Sequence, residues 1–288
     1  MVWVNAVIQG VLVGGLYALF ATGLSLVFGV MRLVNLAHGD LAILAAYLAV
    51  LLADHAGLDP WLSLLIVVPA MAAAGYVLQV GILNFTLDSG LAPLLATFGL
   101  AVIIQNALQQ GFSANVQGLD AGALETDSIH VSNQISVGWF PLLTLVAAVV
   151  LLGGLQLVIR HTSLGRALRA TSDDQRAAQL VGIDNRHLYG VAMAISLATA
   201  AVAGIFLGIR TSFDPFAGPV RLIFAFEAVI IGGLGSLWGT LLGGIVLGVA
   251  QGVGDQINPG WGVLAGHLVF LAVLVLRPTG LLGKVVPA

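Results

Sequence analysis

Two short stretches of this 288-residue chain place ionisable side chains inside apolar surroundings. The first is Asn35-Leu-Ala-His-Gly-Asp40, polar or flexible residues gathered at the start of an apolar run. Asn35 or Asp40 is placed to cap the helix that follows, where a carboxylate also complements the helix dipole. The second is Glu227, which sits within Leu-Ile-Phe-Ala-Phe-Glu-Ala-Val-Ile-Ile. A charge at the centre of a bilayer costs about 2.5–3.5 kcal/mol on insertion scales, so each such group needs a reason. Glu227 reads either as a carboxyl near the outer interface, protonated or paired with a neighbouring helix, or as a pathway or gating residue. Asn35, His38, Asp40 and Glu227 are thus the candidates for polar contacts along a translocation path. The amides Gln79, Gln105, Asn106 and Gln251 read as hydrogen bonds between helices.

A third stretch, 164–182 (LGRALRATSDDQRAAQLVG), is the only long one in which charge is dense. Of ten Lys/Arg residues, Arg160, Arg166, Arg169 and Arg176 fall here or at its edge, and Arg186 follows closely. Leu164, Ala167, Leu168, Ala177, Ala178, Leu180 and Val181 supply a broken apolar face. Arg166, Arg169, Asp173, Asp174, Gln175 and Arg176 supply the polar remainder. Ser172 or Asp173 is placed to cap a short helix running to Leu180, with Gly182 as its stop. The pattern fits either an ordinary cytoplasmic loop or a docking helix for a soluble partner, with small Ala177 and Ala178 permitting close approach.

Other chemistry is missing from the motifs. There is no G-x-x-x-x-G-K-[ST] phosphate loop, because 280–284 (GLLGK) has the wrong spacing and Val285 follows the lysine. There is no H-E-x-x-H and no G-x-S-x-G. The histidines 38, 55, 130, 161, 187 and 267 include no i, i+4 pair. With no cysteine, disulfides and Cys-ligated metals are excluded. A net charge of −3 gives no electrostatic footprint for nucleic acid.

Composition sets the solvent in which these residues must be positioned. The chain is 59% hydrophobic and 8% charged, with mean hydropathy +1.05, so the bilayer rather than water covers it. Glycine is frequent, at 37 residues, and transmembrane helices use it for close packing. Apolar runs occur at 4–28, 41–53, 61–80, 91–108, 137–159, 188–209, 222–231, 241–253 and 261–276. The fold class expected is an all-α integral membrane protein, a polytopic bundle of about 8–10 transmembrane or re-entrant helices. Residues 1–288 form one membrane domain with a cytoplasmic loop at 160–187, and no cleavable leader is evident. The glycines at 232, 233, 235 and 239 make a straight helix improbable. They mark a tight turn between helices or a half-helix end near the pathway.

Orientation follows from basic residues. With 160–186 in the cytoplasm, Arg32, Arg277 and Lys284 also fall inside, and only Arg210 and Arg221 fall outside. That puts 10 − 2 = 8 basic residues on the cytoplasmic side. The N-terminus is then external, the C-terminus cytoplasmic, and the 111–136 loop external.

These residues resemble a known family. Gly29-Val-Met-Arg-Leu-Val-Asn-Leu-Ala-His-Gly-Asp40 is similar to the segment after the first span of branched-chain amino acid ABC transporter permeases. Leu164-Gly-Arg-Ala-Leu-Arg-Ala170, Ala177-Ala-Gln-Leu-Val-Gly-Ile183, Ala203-Gly204, the 232–239 glycines and Arg277-Pro-Thr-Gly-Leu-Leu-Gly283 also match. The short chain beginning at its first span resembles the LivH-type subunit. The resemblance implies a bacterial inner-membrane permease subunit of an importer for branched-chain amino acids. It implies four kinds of partner: a second related permease, two cytoplasmic ATPase subunits, an extracytoplasmic solute-binding protein and membrane lipid. ATP and Mg²⁺ would enter through the ATPase subunits, and this chain would be no enzyme.

The resemblance also makes 164–182 an ATPase-coupling element. Leu164, Gly165, Arg166, Arg169, Asp173, Asp174 and Arg176 belong to it, with Ala177, Ala178 and Gly182 as contacts and Arg176 replacing the motif's glutamate. Where relatives often carry an arginine between the third and fourth spans, this chain has 84–90 (NFTLDSG) instead. Related permeases carry urea, short amides or aromatic acids, so these remain alternative cargoes. A stand-alone secondary transporter is a more distant alternative, because the spans hold too few ion-coupling residues.

Overall fold

The computed structural model describes residues 2–87, 90–132 and 135–283. Residues 88–89 of the departing loop and Lys284 therefore lie outside the described part. The helices are α1 (Val2–Met31), α2 (His38–Ala56), α3 (Pro60–Gly81), α4 (Ala92–Phe112), the single turn α5 (Ala123–Thr126), α6 (Trp139–His161), α7 (Ser163–Asp173), α8 (Gln175–Leu180), α9 (Asn185–Arg210), α10 (Gly218–Gly232), α11 (Leu237–Ile257) and α12 (Gly262–Leu276). Seven of them are long and apolar enough to cross a bilayer, and α10 and α12 are apolar but shorter. Every apolar run in the sequence thus became a helix. The bundle is the all-α polytopic architecture expected. A small antiparallel hairpin, β1 (Ser128–Ser132) and β2 (Ile135–Gly138), decorates the 111–138 loop.

Local chemistry sets the helix ends. Asp59 accepts the Trp61 N–H at 2.8 Å, with Pro60 opening α3, and α2 stops at Gly57 with φ +62°. Asp184 takes the Arg186 and His187 N–H groups to start α9.

The helices nest around α1 and α9, whose most apolar stretches are 83% and 78% buried, against 22% for α3 and α6. Glycine lets α1 do this. A Cβ on Gly10 would come within 2.6 Å of the Val249 Cα, and one on Gly248 within 2.2 Å of the Gly10 carbonyl oxygen. Gly10 and Gly14 therefore mesh with Gly244 and Gly248 of α11 as paired small-xxx-small motifs. Gly23 meets Ser196 of α9 in the same way, and Gly204 of α9 meets Ala42 of α2.

The two faces of the bundle are distinguishable. Gln9, near the start of α1, donates to the Ser136 carbonyl of the hairpin at 2.8 Å. Gly29, near its end, accepts from Ser172 of α7 at 2.6 Å. The 162–184 segment and the 277–283 turn lie on the second face, and the hairpin lies on the first.

Two helices start inside the bundle. His38 Nε2 bonds to the Phe20 carbonyl at 2.9 Å. That level lies roughly 16 Å back along α1 from Met31 at the helical rise of 1.5 Å per residue. Residues 32–37 therefore climb back before α2 begins. α10 begins beside it, since a Cβ on Gly39 would lie 2.1 Å from the Gly218 carbonyl oxygen. The sequence left two readings for the glycines at 232–239, and the structure separates them. Gly233 (φ +103°) and Gly235 (φ +77°) make the turn between α10 and α11, on which Leu281 and Leu282 N–H bond to the Ile231 and Gly232 carbonyls. The interior half-helix end is at Gly218 instead.

Gly204→Val is expected to cost about 1–3 kcal/mol by overpacking, because the first added carbon would meet the Ala42 carbonyl oxygen at 1.9 Å. Gly154→Ala, with nothing within 4 Å, is expected to leave the melt unchanged or slightly raised. Thermal unfolding of the detergent-solubilised protein compares the two, and equal melting points would refute the α2–α9 packing.

Candidate functional site

Three of the four pathway candidates meet at the start of α2. Asn35, His38 and Asp40 are each 1% exposed. Neither Asn35 nor Asp40 caps α2 as the sequence suggested; the N-cap is Ala37, without a side-chain bond. Asn35 Oδ1 instead accepts the Ala37 N–H at 3.0 Å, just ahead of the helix, while its Nδ2 approaches Met193 Sδ at 3.8 Å. Asp40, in the first turn, accepts from Gln105 Nε2 of α4 at 2.9 Å and rests on Gly218 of α10. One carboxylate thus touches two helix starts, where backbone N–H groups and dipoles favour it. Its second oxygen and His38 Nδ1 have no partner.

Glu227 stands apart. α10 runs from its interior start toward the second face, and Glu227 lies nine residues along it, beside Ala228, whose carbonyl meets Gly243 of α11. It is 4% exposed and pairs with His267 Nδ1 of α12. His267 was one of six scattered histidines in the sequence, and nothing in its spacing marks it. Beside this pair, the Phe224 ring stacks on His267 and packs on Tyr17 at 5.1 Å, and Tyr17 donates to Gln251. Of the amides, Gln105 and Gln251 bond between helices as expected. Asn106 bonds back to Val102 of its own helix at 2.8 Å. Gln79 donates to Asn84, which donates to the Arg186 carbonyl, so it reaches α9 only indirectly.

Arg210 and Arg221, read from sequence only as markers of sidedness, are half-buried. Arg210 Nη1 and Arg221 Nε have no partner. The two guanidiniums lie within electrostatic range of each other and of Tyr17. Among the described residues no His, Cys, Asp or Glu group is arranged to hold a metal.

The 164–182 segment folds as two helices. Thr162 caps α7 by accepting the Gly165 N–H at 3.1 Å. The cap of α8 is Asp174, whose Oδ1 accepts the Arg176 and Ala177 N–H groups at 2.8 and 3.0 Å; Ser172 and Asp173 fall at the end of α7 instead. Gly182 (φ +85°) stops the chain as expected, and the Ile183 N–H returns to the Ala178 carbonyl. Gly165 is buried because any Cβ there would strike the Ile159 carbonyl at 2.2 Å. Leu164 is half-buried, and Arg166, Arg169, Asp173, Asp174, Arg176, Ala177 and Gly182 are exposed. Ala178, expected as a contact, is 3% exposed and faces into the protein. Leu180 and Val181 stand out instead, 89% and 77% exposed. Arg169 bonds to the Ile159 carbonyl at 2.7 Å, Ser172 to Gly29, and Asn185 to both Thr171 and the Gln175 carbonyl. Those bonds fasten the pair of helices to the ends of α1, α6 and α9.

Residues 6–276 match the family described as the branched-chain amino acid transport system permease component. The chain belongs to this family. It is 30% identical to the high-affinity branched-chain amino acid transport system permease protein BraD of Pseudomonas aeruginosa, over 98% of this chain and 96% of the relative. It is 27% identical to LivH of Escherichia coli, over 96% and 94%. It is 29% identical to LivM of the same organism, over 93% of this chain and 68% of that one. No solved structure matches. The resemblance seen in the motifs is borne out along nearly the whole permease, which is a multi-pass membrane protein of a transport system.

Asp174→Ala is expected to destabilise α8 by about 1 kcal/mol. Hydrogen exchange should quicken at residues 175–180 while the protection of α6 and α9 stays unchanged. Unaltered exchange would show that the cap is dispensable.

Proposed function

We propose that this permease forms the membrane pathway for branched-chain amino acids in an ABC importer, with residues 1–288 acting as one membrane unit. A second related permease would complete the pathway. Two cytoplasmic ATPase subunits would bind ATP and Mg²⁺, and an extracytoplasmic solute-binding protein would deliver the cargo. The chain itself is no enzyme. The 162–184 face lies in the cytoplasm in this reading, as does the C-terminus, with the N-terminus outside, following the excess of basic residues.

The observation that carries the reading is the placement of α8. A permease needs a rigid element to receive force from a motor, and the α7–α8 pair is such an element: α7 is bonded to the ends of α1, α6 and α9, Asn185 of α9 holds α8 at the Gln175 carbonyl, and the end of α8 offers two uncovered apolar side chains. Burying a leucine or valine in a partner's groove is worth about 1.5–3 kcal/mol each. Leu180 and Val181 are therefore the anchors of the ATPase contact, rimmed by Arg176, Ala177 and Gly182. Leu164, Gly165, Arg166, Arg169, Asp173 and Asp174 hold the segment in position. Closure of the ATP-bound partners would press on α8, and the attached ends of α6 and α9 would swing the pathway between its two openings. Asn35, His38, Asp40 and Glu227 are the polar groups that this swing would expose or cover.

In membranes containing the whole importer, Leu180→Glu is expected to reduce leucine uptake at least tenfold and to lower co-purification of the ATPase subunits, while membrane insertion stays normal. Ala178→Glu is a poorer probe, because it forces a carboxylate into the fold of the loop itself. Normal uptake and normal co-purification in Leu180→Glu would refute the docking reading. Uptake of urea or an amide but not leucine by the wild type would refute the cargo.

A further inference from the structure

A cavity of about 400 Å³ lies at the second face, between α1, α6, α7 and the turn into α11. Gln156, Ile159 and Arg160 line it from α6, at the i, i+3 and i+4 positions of one helix face. Arg169 and Asp173 line it from α7, again one turn apart. Arg169 Nη1 donates to the Ile159 carbonyl at 2.7 Å. That bond sets its guanidinium beside the peptide joining Ile159 to Arg160. The one ion pair within 4.0 Å among the described residues is His267–Glu227, so Asp173 neutralises neither arginine by contact. Asp173 is also exposed, and water screens it. Two guanidiniums against one screened carboxylate leave the lining with a surplus of positive charge.

The α1 wall of the cavity carries a different group. Gly29, whose carbonyl accepts from Ser172 of α7, lines the cavity, and so does Ser25. Ser25 lies four residues earlier on α1, roughly 6 Å deeper at 1.5 Å per residue. It is 1% exposed, and its Oγ has no partner. A buried hydroxyl is costly until it finds one. Leu26, Val30, Leu168 and Leu237 make the remaining wall apolar. The same side of α6 continues away from the cavity. Gly153 lies seven residues before Arg160, about two turns further into the bundle. A Cβ on Gly153 would meet only the Trp238 ring of α11, at 3.9 Å, and one on Gly154 would meet nothing within 4 Å. Leu157 and Trp238 are exposed beside them. A strip without side chains thus leads from the cavity along the outer side of α6.

We propose that this cavity binds a membrane phospholipid, with its phosphate at Arg160 and Arg169, a glycerol ester carbonyl at Ser25 Oγ and an acyl chain along Gly153 and Gly154. Guanidinium N–H groups match phosphate oxygens in charge-assisted hydrogen bonds. Basic pockets between spans take lipid headgroups for that reason. A soluble phosphate supplies the same anion but has no ester for the deeper hydroxyl and no chain for the bare strip. The site lies outside the importer reading and stands or falls without it.

The test uses the full-length permease in detergent, stripped of lipid. The probes are phosphatidylglycerol, diacylglycerol with the same chains, and inorganic phosphate. Phosphatidylglycerol is chosen because its headgroup carries the phosphate and no ammonium group for Asp173. Native mass spectrometry measures lipid binding, and thermal unfolding measures stabilisation. Phosphatidylglycerol is expected to bind and to raise the melting temperature, and diacylglycerol and phosphate are expected to do neither. Arg160→Gln is expected to weaken phosphatidylglycerol binding about tenfold, the loss of one charge-assisted hydrogen bond, with the lipid-free melt unchanged. Arg166→Gln removes the same charge from α7 at a position that does not line the cavity, and is expected to bind as the wild type does. Wild-type binding in Arg160→Gln overturns the inference. Equal loss in Arg166→Gln overturns it too, as diffuse attraction to an anionic lipid. Stabilisation by inorganic phosphate equal to that by phosphatidylglycerol assigns the cavity to a free anion and overturns the lipid. A lipid-free Arg160→Gln protein melting well below wild type makes the arginine part of the fold and also overturns the inference.

Discussion

The contact between Gly39 and Gly218 is the constraint from which the rest of the arrangement follows. Two helices that begin inside a bundle expose their first N–H groups where no water is guaranteed, and lipid cannot satisfy them. Broken backbone is tolerated at that depth only when other protein groups cover it. Here the absence of a side chain on both glycines lets the helix starts touch, and Asp40 lies across the joint. A larger residue at either position would separate α2 from α10. The carboxylate would then lose the positive helix end that offsets its burial. The height of α10, and hence of Arg221 and Glu227, is fixed by this joint.

Force has a short route to that joint. α1 is gripped by α11 through glycine against glycine and by α9 at Gly23. Its C-terminal end is tied to α7 through Ser172. α9 carries Gly204 against Ala42 of α2 at one level and accepts the α7–α8 pair through Asn185 at the other. Close-packed backbones shift as units rather than deforming. A displacement imposed on α8 would therefore reach the start of α2 through α9 without needing side-chain rearrangements.

Much of this was legible in the residues. The nine apolar runs each mark a helix, and seven of those helices are long and apolar enough to cross a bilayer. The 164–182 segment stands out because it is the one long stretch where charge is dense. Periodicity failed where the answer depended on a partner distant in sequence. The α8 cap moved by one or two residues because a preceding helix takes Ser172 and Asp173, and a single-sequence reading has no means of choosing among adjacent cap residues. Ala178 and Leu180 differ in exposure because α8 packs against α9, which its own six residues do not reveal. His267 is unreadable as a partner of Glu227 across forty positions. Gly218 looks like any loop glycine until the start of α2 is seen against it.

The buried ionisable groups are also unevenly distributed. Asp40, Arg210, Arg221 and Glu227 all lie on α2, the end of α9 or α10, whereas the outer faces of α3 and α6 present Leu62, Leu65, Val146 and Val150. Each membrane-embedded charge carries a cost of about 2.5–3.5 kcal/mol before compensation. Glu227 recovers part of it from His267, and Asp40 from Gln105 and the helix starts. The arginines recover least. α10 meanwhile exposes Val220 and Ile223, while Arg221 and Glu227 lie about 120° apart around it at 3.6 residues per turn. If α2 and α10 border the pathway as proposed, their polar sides face the moving solute. The apolar side of α10 is then left for lipid or the second permease.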